Sequence, residues 1–221
     1  MSEFIQGSPE WLELRSRCIT ATDAGIILGD SPYCTPRLLW ERKKGLAPPQ
    51  ASNEAMERGK AMEETARLAY QEMTGLFVFP QVLFHKQLNF VMASLDGLSI
   101  DGKHLVEIKC PMKPDTRYAA KGVPPPWYIP QLQHQLAVCD LEVMDYFSFD
   151  GERGIIVKVY RDQEFIDRML KAEQAFYMLM RGDIPPPAQQ ADIDREEAEQ
   201  AWMDWAQTEV DPDEKLALLR I

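Results

Sequence analysis

The chain has 221 residues, 45% of them hydrophobic, with five Trp, which is enough apolar material for one domain with a sizeable core. Its formal charge of −11 rules out a surface that is basic throughout, so any contact with nucleic acid has to be local. Four scattered cysteines without a CxxC pair or zinc-like spacing, and no stretch near the roughly 18 apolar residues of a membrane span, lead to the expectation of a soluble intracellular protein with reduced thiols.

In chain order, SPEWLELRSRC reads as a short helix, with Ser8 as N-cap, Pro9 at the first helical position and Arg15 near the end. TATDAGIILG is a turn and a second short helix stopping at Gly29. In TPRLLWERKKG, Thr35 caps, Pro36 starts and Gly45 ends a third helix, whose last turn holds Arg42, Lys43 and Lys44 where the helix dipole favours cations. Residues 54 to 73 form an amphipathic helix on Ala55, Met62, Ala66, Ala69, Tyr70 and Met73.

The middle of the chain is rich in strands: LFVFPQVLFHK, LNFVMASLDGLSI, KHLVEIKCP, VMDYFSFD and GIIVKVY. A helix at YIPQLQHQLAVC interrupts them, and another at 162 to 181 follows. This order predicts an α/β or α+β fold with a central mixed β-sheet flanked by helices. The expected division is a domain over 1–185 and an acidic helical extension over 186–221, whose Trp202, Trp205 and Leu216 to Leu219 offer an oligomer or partner contact or else pack as a helical pair on their own domain. From Asp192 to Ile221 ten acids face only Arg195, Lys215 and Arg220, so most of the net charge lies there.

LVEIKC raises a chemical question. Strand side chains alternate, so Glu107 and Lys109 point one way and Val106, Ile108 and Cys110 the other. Asp101-Gly102 suits a two-residue hairpin turn, which places Ile100 opposite Lys103, Asp96 opposite Glu107 and Ser94 opposite Lys109. Opposed Cβ atoms stand about 5 Å apart, so two carboxylates and an ammonium would share one site. Like charges so placed repel unless a cation with a taste for oxygen ligands joins them. The other reading of Glu-x-Lys is a solvated strand face. On the helix AMERGKAMEETARLAY, Glu63 sits among Gly59, Ala66 and Tyr70 on the packed side, whereas Glu64 aligns with Lys60 and Arg67 as a surface ion pair.

An acid on one strand, Glu-x-Lys on the next and an acid on an earlier helix resemble the PD-(D/E)xK nuclease superfamily and its restriction-endonuclease-like core. The runs LRSRCITATDAG, RGKAMEETAR, SLDGLSIDGKHLVEIKCP and YIPQLQHQL resemble, in order, the phage lambda exonuclease (YqaJ-type) family of alkaline exonucleases, over about residues 8 to 180. The resemblance implies metal ligation by Asp96, Glu107, the main-chain oxygen of Ile108 and Glu63. It implies that Lys109 orients or helps deprotonate the attacking water, that Gln133 (or Gln131) helps position Lys109 or the nucleophile, and that Arg15 and Thr22 grip a 5′-phosphate. It further implies Mg²⁺, as two ions with Mn²⁺ as a substitute, 5′-to-3′ digestion of one strand of linear duplex DNA, a homotrimeric ring and a partner single-strand annealing recombinase. A phage or prophage protein in the bacterial cytoplasm follows from the same resemblance. A PD-(D/E)xK endonuclease and a non-enzymatic recombination accessory stand as alternatives. His85, His104 and His134 are not needed and are expected to be structural or exposed.

Overall fold

The computed structural model describes residues 4–111 and 116–206. The chain divides into two compact units, Met1–Pro186 and Pro187–Ile221. The first holds, in order, α1 (Pro9–Arg17), β1 (Ile19–Thr20), α2 (Ala21–Ile27), α3 (Pro36–Lys43), α4 (Glu54–Thr74), β2 (Val78–Phe84), β3 (Val91–Ser99), β4 (Leu105–Lys109), α5 (Thr116–Ala119), α6 (Ile129–Cys139), β5 (Val143–Phe149), β6 (Gly154–Tyr160) and α7 (Gln163–Arg181). The second contains α8 (Gln190–Ala206). The side chains of Trp202 and Trp205 and the whole of Leu216 to Leu219 lie outside the described residues.

Side-chain caps set the helix starts, at Ser8 and Thr35 as read from the sequence and also at Asn53. Ser8 Oγ accepts from Trp11 N, Thr35 Oγ1 from Leu38 N and Asn53 Oδ1 from Met56 N, each satisfying a donor that has no partner within its own helix. α4 ends at Gly75, which takes the left-handed conformation with φ +71°. No helix among the described residues is long and apolar enough to cross a membrane.

Six strands form one mixed sheet in the order β1-β3-β4-β5-β6, with β2 added on β3. β4 and β5 are parallel, so the chain between them must cross over, and α6 is that crossover. One face buries β3, β5 and β6 residues such as Leu95, Tyr146 and Val157 against Leu132 and Leu136 of α6 and Ile166 of α7. The other sets Val106, Ile108 and Phe147 against Ala66 and Tyr70 of α4. The central mixed sheet with helices on both faces is the architecture the element order implied.

The two-residue β1 pairs in parallel with β3, Ile19 with Val91 and Thr20 with Met92, and is too short to leave a periodic signal. It fixes the junction of α1 and α2 to the sheet.

The hairpin keeps the expected register by a different turn. Gly97 pairs with Val106 and Leu98 with Leu105. The turn, however, runs from Ser99 to Gly102, closed by Gly102 N donating to Ser99 O at 2.9 Å, and Ser99 N reaches His104 O at 2.9 Å. Gly102 is left-handed and Asp101 is not, so Asp101 shapes the loop with its carboxylate, accepting from Lys103 N at 3.1 Å and from Ser99 Oγ. The longer loop shares the centre of a two-residue one, so the strand pairing is unchanged.

Candidate active site at the end of the central hairpin

Two irregularities of β3 build the site. Against β2, Phe79 pairs with Leu98 but Gln81 with Leu95, so β3 spends three steps where β2 spends two. This is a β-bulge at Asp96-Gly97 opposite Pro80, which has no N–H to give to a ladder. A bulge re-aims side chains, and here it turns the Asp96 carboxylate toward β4. Gly97 permits the close approach: a Cβ there would lie 2.7 Å from Val78 Cγ2 and 2.8 Å from Val106 Cγ1.

On the β4 side the paired positions end at Gly97 and Val106. One step further along the same register come Asp96 and Glu107, and there Asp96 Oδ2 accepts from Ile108 N at 2.8 Å. A carboxylate takes over from the ladder, and the strands are pinned apart at that point.

Glu107 is 2% exposed and fully engaged. Lys109 Nζ and Gln131 Nε2 donate to its Oε1, and Gln135 Nε2 donates to its Oε2 at 2.6 Å. Lys109 Nζ also lies 5.0 Å from the centre of the Tyr128 ring. Burial works against the Lys109 charge, but Glu107 and Asp96 outweigh it and raise the pKa above the ordinary lysine value. Lys109 is therefore held as an ammonium. Burial and then the Glu107 charge push the Asp96 carboxyl well above its usual range, against the pull of Lys109 and the Ile108 N–H.

That imbalance is the test of whether a cation fits. Burial first, and the neighbouring Glu107 second, hold the Asp96 carboxyl up, and its neighbours are hard oxygen donors of the kind Mg²⁺ takes. Among the described residues no three His, Cys, Asp or Glu side chains converge closely enough to hold an ion by themselves. The groups present that could hold such a cation are Asp96, Glu107 and the main-chain oxygen of Ile108, with waters to complete the shell, as Mg²⁺ commonly keeps them.

Three expectations are corrected. Gln133 is turned away from the site: its Nε2 donates to Tyr160 O at 2.8 Å and its Oε1 accepts from Asp162 N at 2.9 Å. The residues that reach Glu107 are Gln131 and Gln135, one turn apart on α6. Their spacing is legible in QLQHQ, since i and i+4 share a helix face and i+2 does not. The ion pair expected between Glu64 and Arg67 is made by Glu63 instead, with Arg67 Nη1 3.1 Å from Glu63 Oε1 and 3.1 Å from Asp96 O. Lys60 pairs with Glu57. Glu63 thus stands at the margin of the site, tied to the main chain of Asp96 through Arg67, and its charge adds to the upward pressure on Asp96.

Arg15 and Thr22 come together in the structure. Arg15 Nη2 donates to Thr22 Oγ1 at 3.2 Å, and its guanidinium lies 4.5 Å from the centre of the Trp11 ring. Burial disfavours the Arg15 charge and the nearby Asp23 supports it. Asp23 is buried, accepting from Thr20 N at 2.7 Å and from Thr20 Oγ1 at 2.8 Å in a capping box that starts α2. Lys43 completes this junction: its Nζ lies 2.8 Å from Asp23 Oδ2, 2.9 Å from Arg15 O and 2.8 Å from Cys18 O. One ammonium places all three donors on the end of α1 and the start of α2, beside the half-buried Arg15 head and the exposed Thr22.

Of the histidines, His134 is buried between Glu173 Oε1 at 2.7 Å and Met92 O at 3.0 Å, while His104 is exposed.

Comparison with known proteins identifies the family of the chain. Residues 10–142 match the YqaJ-like viral recombinase domain. The chain belongs to that family. The uncharacterized protein YqaJ of Bacillus subtilis (strain 168) is 31% identical over 174 residues, 76% of this chain and 54% of that protein, so the chain spans about half the length of this relative. Among solved structures, the alkaline exonuclease LHK-Exo from Laribacter hongkongensis is 27% identical with a TM-score of 0.68, covering 87% of this chain and 100% of that one. LHK-Exo in complex with dAMP gives a TM-score of 0.69 at 26% identity over the same shares. The family match spans Arg15, Thr22, Glu63, Asp96, Glu107, Lys109, Gln131 and Gln135 alike.

Proposed function

We propose that this protein is a Mg²⁺-dependent exonuclease that digests one strand of linear double-stranded DNA from its 5′ end. The observation that carries the reading is the cluster of Asp96, Glu107 and Lys109 at the bulged end of the hairpin, with Asp96 half-buried beside Glu107 and bonded to Ile108 N. Its resemblance to LHK-Exo supports the exonuclease class, and the Arg15–Thr22 pair supports recognition of a phosphorylated end.

When bound, Mg²⁺ held by Asp96, Glu107 and the Ile108 carbonyl would offset charge on the phosphate and lower the pKa of water near neutral pH; a second ion, or Mn²⁺, would serve the same chemistry. Gln131 and Gln135 hold Glu107 by both oxygens and so fix its direction. Lys109, kept protonated, presents positive charge to the phosphate and orients the attacking water by hydrogen bonding. Arg67 positions Glu63 beside Asp96, from where it acts through bound water. Arg15, with Thr22, binds the terminal 5′-phosphate by charge-assisted hydrogen bonds and so sets which phosphodiester lies at the carboxylates.

Membership of the family supports a biological setting for this reading. The product is a 3′ single strand for homologous recombination, delivered to a single-strand annealing partner in the cytoplasm of a phage-infected or prophage-bearing bacterium. A ring-shaped homotrimer around the DNA reconciles an acidic chain with a polyanionic substrate, because basic groups need line only the hole. The test compares linear duplex carrying a 5′-phosphate, linear duplex carrying a 5′-hydroxyl and covalently closed circles. Rapid loss of the first, slower loss of the second and no loss of the third are expected; cutting of closed circles contradicts the exonuclease reading.

A further inference from the structure

Beside the α1–α3 junction lies a cavity of about 380 Å³, within the range of roughly 300–1,000 Å³ typical of small-ligand sites. Four of its lining residues are cations, Arg17, Lys43, Lys44 and Arg181, and none is an acid. That is a local reversal in a chain where Asp and Glu outnumber Lys and Arg by 35 to 24. Ser16 and Asn89 add neutral hydrogen-bonding groups. Phe90 and Tyr177, stacked on each other at 3.9 Å and 6°, form a half-buried aromatic wall.

The charges differ in availability. Lys43 is committed to Asp23, Arg15 O and Cys18 O. Arg17 and Lys44 pair with Glu13 and Asp183, acids that are 62% and 74% exposed; such solvated pairs have small net worth and yield to a phosphate, which binds guanidinium through two oxygens. Arg181 is exposed and makes no ion pair among the described residues.

We infer that this cavity is a second nucleotide-binding site, taking a phosphate on Arg17 and Arg181 and a base against the Phe90–Tyr177 wall, outside the cleavage site. Arg15 and Arg17 leave α1 about 200° apart, so the last turn of one helix separates the end-phosphate pair from the cavity. A strand held by Arg15 at its terminus thereby gains another contact around that turn. Cations that track a backbone beside aromatic faces are the usual means of holding a strand without reading its sequence. The inference rests on the nuclease reading for the identity of the strand, but the chemistry it names is a phosphate-bearing nucleotide, whether within DNA or free.

The test is binding of a fluorescent 5′-phosphorylated oligonucleotide to the full chain without divalent metal, followed by anisotropy over a range of salt. Arg17→Gln with Arg181→Gln is expected to weaken binding about tenfold and to flatten the salt dependence by about one phosphate contact or two. Lys86→Gln, which removes an exposed cation paired with Asp140 elsewhere, is expected to change neither. Competition by dAMP that the double variant abolishes would place a free nucleotide in the cavity; loss of oligonucleotide affinity without dAMP competition would place a strand there. Unchanged affinity and salt slope in the double variant, or an equal loss in Lys86→Gln, overturns the site. Mg²⁺-dependent digestion by the wild-type preparation is measured alongside, so failure of the nuclease reading is seen separately.

Discussion

Gln135, fully buried on α6, donates to Glu107 Oε2 at 2.6 Å, while Gln131 one turn earlier donates to Glu107 Oε1. The two amides fix both oxygens of the carboxylate. Gln131→Ala and Gln135→Leu are each expected to reduce cleavage by about 10- to 100-fold, the usual cost of losing a group that orients a metal ligand, and to raise the Mg²⁺ concentration needed for half-maximal rate. Steady-state rates over a Mg²⁺ series check this; a variant with the wild-type Mg²⁺ dependence would show that Glu107 needs no such clamp.

Gln133 gives the contrasting outcome. Its side chain ties Tyr160 O and Asp162 N, at the end of β6 and the N-cap of α7. Gln133→Ala is expected to lower stability by about 1–3 kcal/mol through the partners left unmet, with little change in Mg²⁺ dependence. Denaturant unfolding alongside cleavage separates the two effects.

The helix carrying these glutamines shows what could be read from residues and what could not. QLQHQ displays both faces of α6, but only knowledge of where the sheet lies tells which face meets Glu107. Pairing across the hairpin was legible because two-residue and longer loops can share a centre, so the misread turn at Asp101-Gly102 cost nothing. The bulge at Asp96-Gly97 was not legible, since it depends on Pro80 of β2, which no local pattern links to Asp96. Arg67 could have been assigned to Glu63 or Glu64 by spacing alone; its second bond, to Asp96 O, decides between them and comes only from tertiary packing.

Gly97→Ala tests the bulge. The added methyl would press on Val78 and Val106 at 2.7 and 2.8 Å, costing about 1–3 kcal/mol by overpacking, and it would shift the Asp96 carboxylate. Lower thermal stability together with a cleavage loss larger than the stability change explains is the expected result. Wild-type stability would mean that β3 relaxes without strain there.

Arg15→Ala is expected to remove most of the preference for a 5′-phosphate over a 5′-hydroxyl end, because the guanidinium beside Thr22 supplies the charge that distinguishes them. The ratio of digestion rates on the two ends measures it. A retained ratio would move end recognition away from α1 and α2.

The buried His134–Glu173 pair sets a pH signature of stability. Burial opposes the His134 charge, but Glu173 and the Met92 carbonyl outweigh it, with Asp23 adding at longer range, and raise its pKa. A group raised in the folded state stabilises fully below its unfolded value, about 6.5 for histidine, and loses that contribution as pH climbs through the raised value. Melting temperatures of wild type are therefore expected to fall relative to those of Glu173→Gln as pH rises from about 6.5. Parallel curves for the two proteins would show that His134 stays neutral.

The most direct measurement of the central claim is nucleotide release from linear duplex DNA with Mg²⁺, with and without chelator, by wild type and by Lys109→Ala. Lys109 lies against Glu107, and in the proposed mechanism its ammonium is the charge offered to the phosphate. Release by wild type that chelator stops, and that Lys109→Ala reduces by at least about 100-fold, is the predicted result. Metal-independent release, or equal release by the variant, contradicts the assignment of Asp96, Glu107 and Lys109 as the cleavage site.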